Sequence, residues 1–380
     1  MKAVVDTKIL AGLLSAANGI AGRDTSVHLR VIRPDPSMNA GKVRVTAYDQ
    51  TTICAWEGPA QVEGEGAVAL RGAALERFLK VSFRSDSTVV IEAKPTNAHP
   101  ALLVSTARGI HEFETLSDAV FKDIDPGRID RPNGDLSSLA RAISRAKSAC
   151  AAPDEVHGAN VALSGVHLSV HGHEIQIAGT DGKRLAWSAL LVSDHPSVAF
   201  EPTPTGYTIP GPLAAKITGM IESSPARIDF KADALVVAND AGILALRLID
   251  GTFPNYQPLL SVAPPHEAFV DKATFLMALE RSSAAIGGDE RSATTTLVRD
   301  ANGLHLLSST AQETSSETID GRGGEDARIG FETSYMRKAL GNIPTDTLRL
   351  RFGDHTQPIL IDHVDRPDIL MMVMPCRTMD

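Results

Sequence analysis

Two hydrophobic periods recur along the chain. The stretches 42–56 and 173–187 alternate apolar and polar residues, which is the period of a half-buried strand. The stretch 136–149 instead places Leu139 and Ile143 on one face at about 100° per residue, the pattern of an amphipathic helix. Helices that alternate with short strands and hairpin turns predict an α+β fold, in which helices lie against mostly antiparallel sheets.

The same succession of elements occurs three times. Each copy opens with a short strand, an Asp placed to cap a helix, and an amphipathic helix, and the openings begin at residues 4, 134 and 269. A strand–turn–strand block, a second helix and a strand pair follow in the same order in each copy. Because independent blocks rarely match in order and spacing by chance, we predict three similar domains, each with two helices against antiparallel sheets. The predicted domains are residues 1–126, 127–258 and 259–380.

Composition places the chain among ordinary globular proteins. Hydrophobic residues make up 43% and charged residues 22% of the 380 positions, which excludes long disordered or collagen-like regions. The three cysteines, Cys54, Cys150 and Cys376, are too few and too far apart for a disulfide framework or a zinc site. No run approaches the ~18 apolar residues of a membrane span, so we expect a cytoplasmic protein with no membrane partner.

An enzyme is the competing class of function. The chain contains no G-x-S-x-G, P-loop, H-E-x-x-H or glycine-rich dinucleotide turn. His167, His171 and His173 could imitate a metal cluster, but no carboxylate stands at a useful spacing, so we favour plain surface histidines. We therefore expect no catalytic residue, no metal and no cofactor.

Positive charge is concentrated on the predicted helices. The whole chain carries 37 basic and 46 acidic residues, a net charge of −9, whereas the six predicted helices hold 13 basic residues and two acidic ones, a net charge of +11. Ordinary helix surfaces mix Glu with Lys and Arg, so this segregation favours sequence-independent contact with phosphates. The predicted DNA-contacting residues are Arg23, Arg71, Arg77, Lys80, Arg141, Arg145, Lys216, Arg281, Arg337 and Lys338.

The size of the repeats predicts how such helices could meet a duplex. Arg141 and Arg145 point away from the apolar face of their helix, so both are expected to be exposed. A domain of this length has a diameter of roughly 36 Å. Three such domains in a closed triangle leave almost no hole, whereas six leave roughly 30 Å, wider than the roughly 20 Å of duplex DNA. Two chains joined head to tail would supply six domains, with the helices lining the hole.

Three motifs resemble a known family. Residues 180–185 (TDGKRL), 250–256 (DGTFPNY) and 373–377 (VMPCR) match in order the T-D-G-x-R-L, G-x-F-P-x-Y and M-P-x-R patterns of the bacterial DNA polymerase III beta subunit, the sliding clamp. The resemblance implies a head-to-tail homodimeric ring with pseudo-sixfold symmetry, helices inside and sheets outside. It also implies a processivity factor that encircles double-stranded DNA, performs no chemistry of its own, and works with a clamp loader and the replicative polymerase.

The resemblance further implies a pocket for a short peptide with a Gln and a Leu-Phe pair, carried by the polymerase and other clients. Apolar walls with Met adapt to many similar ligands, although leucines such as Leu163 and Leu185, taken alone, are more often plain core. The implied pocket residues are Leu163, Thr180, Gly182, Lys183, Arg184, Leu185, Pro254, Leu259, Met372, Met374, Pro375, Cys376 and Arg377.

The chain departs from the family pattern at several positions. Lys183 stands where His is familiar, Pro258 where a basic residue is usual, and Cys376 where Met is common. Ala284 and Ala285 stand where bulkier apolar residues help to close the dimer. Two functions therefore stay open: a housekeeping clamp, and a duplicated or accessory clamp that replaces it in a resistant strain or acts as a decoy for its clients.

Overall fold

The computed structural model describes most of the chain as two compact units. The described residues are 1–21, 26–33, 40–94, 101–116, 133–286, 294–300, 303–309, 313–322 and 326–377. The first unit comprises Met1–Leu136, Pro196–Pro202 and Gly219–Leu248. The second unit comprises Ser137–His195, Thr203–Thr218 and Ile249–Asp380.

Among the described residues, runs of mostly antiparallel strands separate the helices, which agrees with the α+β prediction. The helices are α1 (Thr7–Ala21), α2 (Gly72–Ser82), α3 (Ser137–Lys147), α4 (Gly211–Ser223), α5 (Gln257–Leu260), α6 (Lys272–Ala285) and α7 (Thr333–Gly341). Within the described ranges, none of them is long and apolar enough to cross a bilayer. The strands are β1 (Lys2–Asp6), β2 (Ser26–Ile32), β3 (Ala40–Asp49), β4 (Thr52–Gly64), β5 (Gly66–Arg71), β6 (Thr88–Lys94), β7 (Ala101–Ser105), β8 (Ile110–Leu116), β9 (Gly165–His171), β10 (Glu174–Thr180), β11 (Arg184–Leu191), β12 (Val198–Phe200), β13 (Tyr207–Pro210), β14 (Ala226–Phe230), β15 (Ala234–Asn239), β16 (Gly242–Arg247), β17 (His266–Asp271), β18 (Thr294–Asp300), β19 (Gly303–Ser309), β20 (Thr314–Ile319), β21 (Gly321–Arg322), β22 (Ala327–Glu332), β23 (Thr347–Phe352), β24 (Ile359–Asp362) and β25 (Ile369–Val373).

Two of the predicted capping aspartates begin helices as expected. Asp6 Oδ1 accepts a hydrogen bond from the backbone N–H of Ile9 at 2.9 Å, at the start of α1. Asp271 Oδ1 accepts one from the backbone N–H of Thr274 at 2.8 Å, at the start of α6. In each case the carboxylate satisfies an N–H that has no partner within the helix. The opening helices of the first and third repeats therefore start by the same device.

The first unit is built around one large sheet. Its strand order is β1-β6-β7-β8-β5-β2-β3-β4-β16-β15-β14-β12. Because β1 pairs with β4 as well as with β6, the first eight strands close on themselves. α1 packs against α2, β3 and β4, and Leu10, Leu14 and Leu75 of these helices are fully buried. The apolar stripes of the two helices thus contribute to the core of this unit.

The second unit contains two sheets. The larger has the order β13-β9-β10-β11-β25-β24-β23-β17-β21, and the smaller has the order β20-β19-β18-β22. α3 packs on β9, β10 and β11, while α6 packs on β19, β20 and α7. Phe275, Phe331 and Phe352 are fully buried in one apolar cluster of this unit. The core therefore joins residues of α6, β22 and β23.

The same strand junction occurs in each unit. In the first unit β16 pairs with β4, and the N–H of Arg247 donates to the carbonyl of Thr51 at 2.8 Å. In the second unit β25 pairs with β11, and the N–H of Met374 donates to the carbonyl of Lys183 at 2.8 Å. These matching junctions support the repeat. The division into three domains stays a prediction, since the boundary after residue 126 lies outside the described residues and the boundary after Pro258 falls within α5.

Close packing of α3 on β10 gives a test of the second unit. A Cβ atom at Gly179 would lie 2.0 Å from the carbonyl oxygen of Ala146. We expect Gly179→Ala to lower the free energy of unfolding by about 1–3 kcal/mol, because the extra methyl overpacks the contact. Gly219→Ala is the matched control, since nothing lies within 4 Å of its added Cβ and Ala favours a helix. Thermal denaturation measures both; equal melting temperatures would contradict this packing.

Candidate functional sites

The turn between β10 and β11 is fixed by its own hydrogen bonds. The Thr180 hydroxyl donates to the carbonyl of Arg184 at 2.6 Å and accepts from the N–H of Gly182 at 3.0 Å. Asp181 Oδ1 accepts from the N–H groups of Lys183 and Arg184 at 2.9 and 3.1 Å. Gly182 has a φ of +89°, which residues with a side chain rarely adopt. Thr180, Asp181 and Gly182 of the T-D-G-K-R motif therefore each have a structural reason at this turn.

Arg184 holds the turn against α7. Its Nε donates to Asp181 Oδ2 at 2.9 Å, and its Cζ lies 4.7 Å from the centre of the Tyr335 ring. The Arg184 side chain is 10% exposed, and its Nη1 is buried with no hydrogen-bond partner in the described structure. Burial, and then the negative charges of Asp181 and Glu332, raise the pKa of the Tyr335 hydroxyl, which therefore stays protonated at neutral pH.

The segment after β25 passes beside this turn and continues to β22. The N–H of Cys376 donates to the carbonyl of Gly330 at 2.9 Å, and Pro375 forms an antiparallel bridge with Phe331. Burial, and then the Glu332 carboxylate, raise the pKa of the Cys376 thiol. The segment is thus tied by its backbone to the turn before β11 on one side, through Met374 and Lys183, and to β22 on the other.

Strand alternation divides the implied pocket residues between two faces of the sheet. Leu185 and Met372 are opposite each other on β11 and β25, and both lie in an apolar cluster with Phe253, against which Leu259 packs. Leu185 is 3% exposed and Met372 is 2% exposed, so they form the interior of this cluster. Arg184, next to Leu185 on the strand, points to the opposite face.

The implied pocket residues differ widely in exposure. The structure brings Leu185, Leu259 and Met372 into one cluster and does not place Lys183 or Arg184 in it. Exposed residues are Gly182, Lys183, Pro254, Met374 and Arg377; half-buried residues are Leu163, Arg184, Leu259, Pro375 and Cys376; buried residues are Thr180, Leu185 and Met372.

His167 supports the loop that carries Pro254, a role that sequence analysis missed. Its ring stacks on Phe253 with centroids 4.5 Å apart, and its Nδ1 lies 3.1 Å from the Thr208 hydroxyl. Burial, and to a smaller extent His171, lower the pKa of His167 to about 4, so the ring is neutral at neutral pH. The expected surface position is wrong for His167, because β9 is an inner strand between β13 and β10. Among the described residues no group of three His, Cys, Asp or Glu side chains could hold a metal ion.

Most of the predicted DNA-contacting residues lie at the surface. Exposed residues are Arg71, Arg77, Lys80, Arg141, Arg281 and Lys338; half-buried residues are Lys216 and Arg337. Arg23 lies outside the described residues. Arg281 donates two hydrogen bonds to Glu317, at 2.9 and 2.7 Å, so part of the positive charge on α6 is compensated from β20. Exposed pairs of this kind contribute only about 0–1 kcal/mol.

Arg145 corrects the sequence prediction. Its side chain was expected at the surface, but the residue is only 8% exposed. Its Nε donates to the carbonyl of Asn342 at 3.0 Å, and its Nη1 donates to the Ser188 hydroxyl at 2.9 Å. Burial first, and then the positive charge of Arg366, lower the pKa of Arg145 to about 10, so it remains charged at neutral pH. The helical pattern of α3 shows one apolar face, but the residues after α7 cover a second face. Arg145 is therefore a structural residue and not a surface contact.

The C-terminal part of the chain is similar to a known protein family. Residues 263–377 match the family model described as the DNA polymerase III beta subunit, C-terminal domain. A curated beta sliding clamp from Synechococcus elongatus is 24% identical over 346 residues, which is 88% of each chain. A beta sliding clamp from Caulobacter vibrioides is 24% identical over 284 residues, 73% of this chain and 74% of the relative. These matches confirm the resemblance that the three motifs predict.

The similarity to solved structures covers the whole chain. A beta sliding clamp from C. crescentus superposes with a TM-score of 0.85 at 19% identity, covering 100% of this chain and 99% of the other. The DNA polymerase sliding clamp from Bacillus subtilis superposes with a TM-score of 0.83 at 18% identity, covering 100% of both. At this level of identity the likeness establishes the fold, which is the α+β clamp fold that the sequence predicts.

The burial of Arg145 gives a test that separates it from Arg141 on the same helix. Arg145→Ala leaves the carbonyl of Asn342 and the hydroxyl of Ser188 without this donor. We expect the free energy of unfolding to fall by about 1–3 kcal/mol. Arg141→Ala, at an exposed position, should change it by less than about 0.5 kcal/mol. Urea denaturation of the two variants measures the difference, and equal stabilities would contradict the buried contacts.

Proposed function

We propose that this chain, which these matches identify as a relative of the bacterial DNA polymerase III beta subunits, is itself a DNA sliding clamp. It would encircle duplex DNA in the cytoplasm and tether the replicative polymerase. The observation that carries the proposal is agreement along the whole chain: a curated beta sliding clamp aligns with most of it, and the clamp fold extends to its full length. Such a role needs no catalytic group.

Two strand edges that are open among the described strands support assembly into a homodimer. On one side, β8 pairs with β7 from Ile110 to Glu114. On the other side of β8, the described residues of β5 pair only with Thr115 and Leu116. β20 is the end strand of the smaller sheet and pairs only with β19 among the described strands. Open edges are ready to pair with another chain. Since one edge belongs to each unit, β8 of one protomer can pair with β20 of its partner, and two such junctions close a head-to-tail ring.

Aromatic residues around β8 supply apolar surface to this junction. Phe78 on α2 lies 5.5 Å from Phe113 and 4.4 Å from His111, measured between ring centres. Ala284 and Ala285 are exposed at the end of α6 and offer little apolar area in return. Burial of apolar surface scales with area at about 25 cal/mol per Å². We therefore expect the dimer to depend on backbone pairing and on the residues around Phe113.

We expect a particle with twice the chain mass of 40.3 kDa. Light scattering at micromolar concentration measures this mass. Ile110, which is 70% exposed on the open stretch of β8, is the test position. Ile110→Lys should increase dissociation at least tenfold, because a charge would be desolvated at the junction. Val364→Lys, at an apolar position outside both edges that is 57% exposed, is the control. A stable wild-type monomer, or equal dissociation of both variants, would contradict this assembly.

Exposed cations on several helices support contact with DNA. Arg77 lies on α2, Arg141 on α3 and Lys338 on α7, all of them exposed. None of the three takes part in an ion pair within the described residues. Cations of this kind bind phosphates without reading sequence and release counterions, so affinity falls steeply with salt. A closed ring with this inner surface would slide along DNA and would require a clamp loader to open it.

The DNA prediction is topological retention. Loaded onto a nicked circular plasmid by a clamp loader, the protein should stay bound far longer than after the plasmid is cut once, because free ends let a ring slide off. Arg141→Ala should weaken loading or retention without changing the melting temperature. Dissociation at the same rate from circular and from cut DNA would contradict the proposed ring. Gel filtration of a labelled complex before and after cutting measures both rates.

A client-peptide pocket is the third element of the proposal. The apolar cluster of Leu185, Met372 and Leu259 lies beside the exposed Met374, which offers an apolar surface for a Leu-Phe pair. Burying two large apolar side chains contributes roughly 3–6 kcal/mol to binding, from which the free-energy cost of association must be subtracted. We therefore expect micromolar binding of a free Gln/Leu-Phe peptide from the polymerase or another client.

Leu259 gives the test of the pocket. Leu259→Asp should weaken binding of the peptide by at least ~2 kcal/mol, about 30-fold in affinity, because it places an unpaired charge in an apolar site. Leu191→Asp, an exposed position on β11, is the control for added charge. Deleting the chain from Met374 onward should abolish binding, provided that the melting temperature shows β25 still paired. Fluorescence anisotropy with a labelled peptide measures each affinity; equal values in all proteins would show that the pocket lies elsewhere.

A further inference from the structure

The sheet of the first unit carries a cluster of cations on the face opposite α1. Alternate residues of a strand point to opposite faces, and Gly58 of β4 faces α1, since a Cβ atom there would lie 2.6 Å from Cγ2 of Ile9. Glu57, its neighbour on β4, therefore faces away from α1. Arg44 of β3 is directly opposite Glu57, and Arg30 of β2 is directly opposite Arg44, so all three share this face. The outer basic patch is defined here as Arg30, Lys42, Arg44 and Glu57.

Arg30 and Arg44 form a like-charge pair across two neighbouring strands. Residues directly opposite each other have Cβ atoms about 4.5–5.5 Å apart, and like charges at such positions are destabilising. On its other side Arg30 is opposite Ala67 of β5, which offers no compensating charge. Arg30 is exposed and forms no ion pair with any described residue. The fold therefore holds two guanidinium groups on adjacent strands, one of which has no counter-ion in the described part of the chain.

The patch contains one carboxylate, and two cations share it. Lys42 Nζ lies 2.9 Å from Glu57 Oε2, and Arg44 Nε donates to Glu57 Oε1 at 2.7 Å. Burial opposes the charge of Glu57, but the hydrogen bonds from Lys42 and Arg44 together outweigh it and lower the pKa of the carboxyl, which is ionised at neutral pH. Three cations thus stand beside one carboxylate, which leaves the patch with a net charge of +2.

The cations of the patch are accessible, and their spacing matches that of an extended peptide. The side chains of Lys42 and Arg44 are 53% and 39% exposed. They are two residues apart on β3, and therefore about 6.5–7 Å apart along the strand. An extended peptide repeats its side-chain direction at the same interval, so carboxylates two residues apart would stand over Lys42 and Arg44. A carboxylate over Arg44 would also reach Arg30 and offset the repulsion between the two arginines.

A protein segment fits this face better than a nucleic acid does. α1 packs on β3, β4 and α2, so Arg77 of α2, one of the cations proposed to contact DNA, lies on the helix side of the sheet. A duplex held on that side is separated from the outer basic patch by the sheet itself. Single strands bind to aromatic rings on which their bases stack, and the four residues of the patch include no ring.

We propose that the outer basic patch binds an acidic segment of a partner protein in an extended conformation, with carboxylates at alternate positions. The choice of a protein over DNA rests on the proposed function, in which the duplex lies against the helices, whereas the binding of an acidic segment does not depend on it. The patch belongs to the first unit and the proposed peptide pocket to the second. It would therefore give partners a second point of attachment that selects for charge.

Arg30 is the position that tests this proposal, because its replacement breaks no ion pair among the described residues. The probe is a labelled peptide of alternating Ser and Glu residues, compared with the matched peptide of Ser and Gln. Fluorescence anisotropy at low salt measures the affinity of each peptide for wild type, Arg30→Gln and Arg77→Gln. Arg77→Gln, at an exposed position on the helix side, controls for net charge, and melting temperatures show that each protein is folded.

In wild type the Glu peptide should bind at least about fivefold more tightly than the Gln peptide. Arg30→Gln should weaken binding of the Glu peptide at least about threefold without lowering the melting temperature, because the like-charge pair with Arg44 is relieved. Arg77→Gln should leave the affinity for the Glu peptide unchanged. On circular DNA the two variants should exchange roles: Arg77→Gln shortens retention, and Arg30→Gln does not.

Glu57 provides a second variant with the opposite expectation. Glu57→Gln releases Lys42 and Arg44 from their shared partner and should strengthen binding of the Glu peptide at least about twofold. Glu174→Gln, at an exposed position on β10 of the second unit, is the matched control and should have no such effect.

Equal affinity of wild type for the Glu and Gln peptides, or equal affinity of wild type and Arg30→Gln for the Glu peptide, would overturn the proposal and leave the proposed clamp function untouched. If Arg30→Gln shortens retention on circular DNA but leaves the Glu peptide unaffected, the patch serves phosphates and the assignment to a protein segment is wrong. Equal dissociation from circular and cut DNA would contradict the clamp function alone, since the peptide titrations do not depend on a ring.

Discussion

The antiparallel pairing of β11 with β25 is the interaction on which the functional part of the second unit depends. It continues past the end of β25 as the hydrogen bond from Met374 to Lys183. By this pairing the turn at 181–184 and the segment after β25 become neighbours although they are far apart in sequence. Both the apolar cluster around Leu185 and the contact of Arg184 with Tyr335 are consequences, because alternate residues of one strand face opposite sides of the sheet.

The separation of charge is the second constraint. The chain is acidic overall, with a net charge of −9, yet exposed cations such as Arg77 and Arg141 stand on its helices. In the proposed clamp, acidic residues elsewhere would keep the protein from binding DNA over its whole surface. The pairing of Arg281 with Glu317 shows that some of this helix charge serves the fold rather than DNA. If the chain binds DNA as proposed, contact with phosphates would be concentrated on a few cations that form no ion pair within the described residues, Arg77 and Arg141 among them.

Features that depend on local sequence could be predicted, and features that depend on distant partners could not. The helix caps at Asp6 and Asp271 and the turn at Gly182 follow from residues three or four positions apart. The burial of Arg145 depends on Asn342, which only the tertiary fold brings near. The helical pattern assigned Arg145 to the surface because it shows the first apolar contact of a helix and not the second.

The candidate site also depends on distant partners, which limits how much of it the sequence predicts. The motif at 180–185 predicts a pocket that includes Leu185 and Arg184, but it does not predict that these two side chains lie on different faces of the sheet, since the pattern says nothing of what covers each face. His167 lies on an inner strand under Phe253, a contact that no local period reveals. The outer basic patch combines cations of β2 and β3 with a carboxylate of β4. Its charge becomes visible only when these elements are placed together.

Cryo-electron microscopy of the protein loaded on a nicked circular duplex tests the ring most directly. The expected particle contains two chains in a closed ring, with the duplex through its centre, the helices facing the phosphates and β8 of each protomer paired with β20 of its partner. A duplex bound along the outer sheets, or a single chain on the DNA, would contradict it.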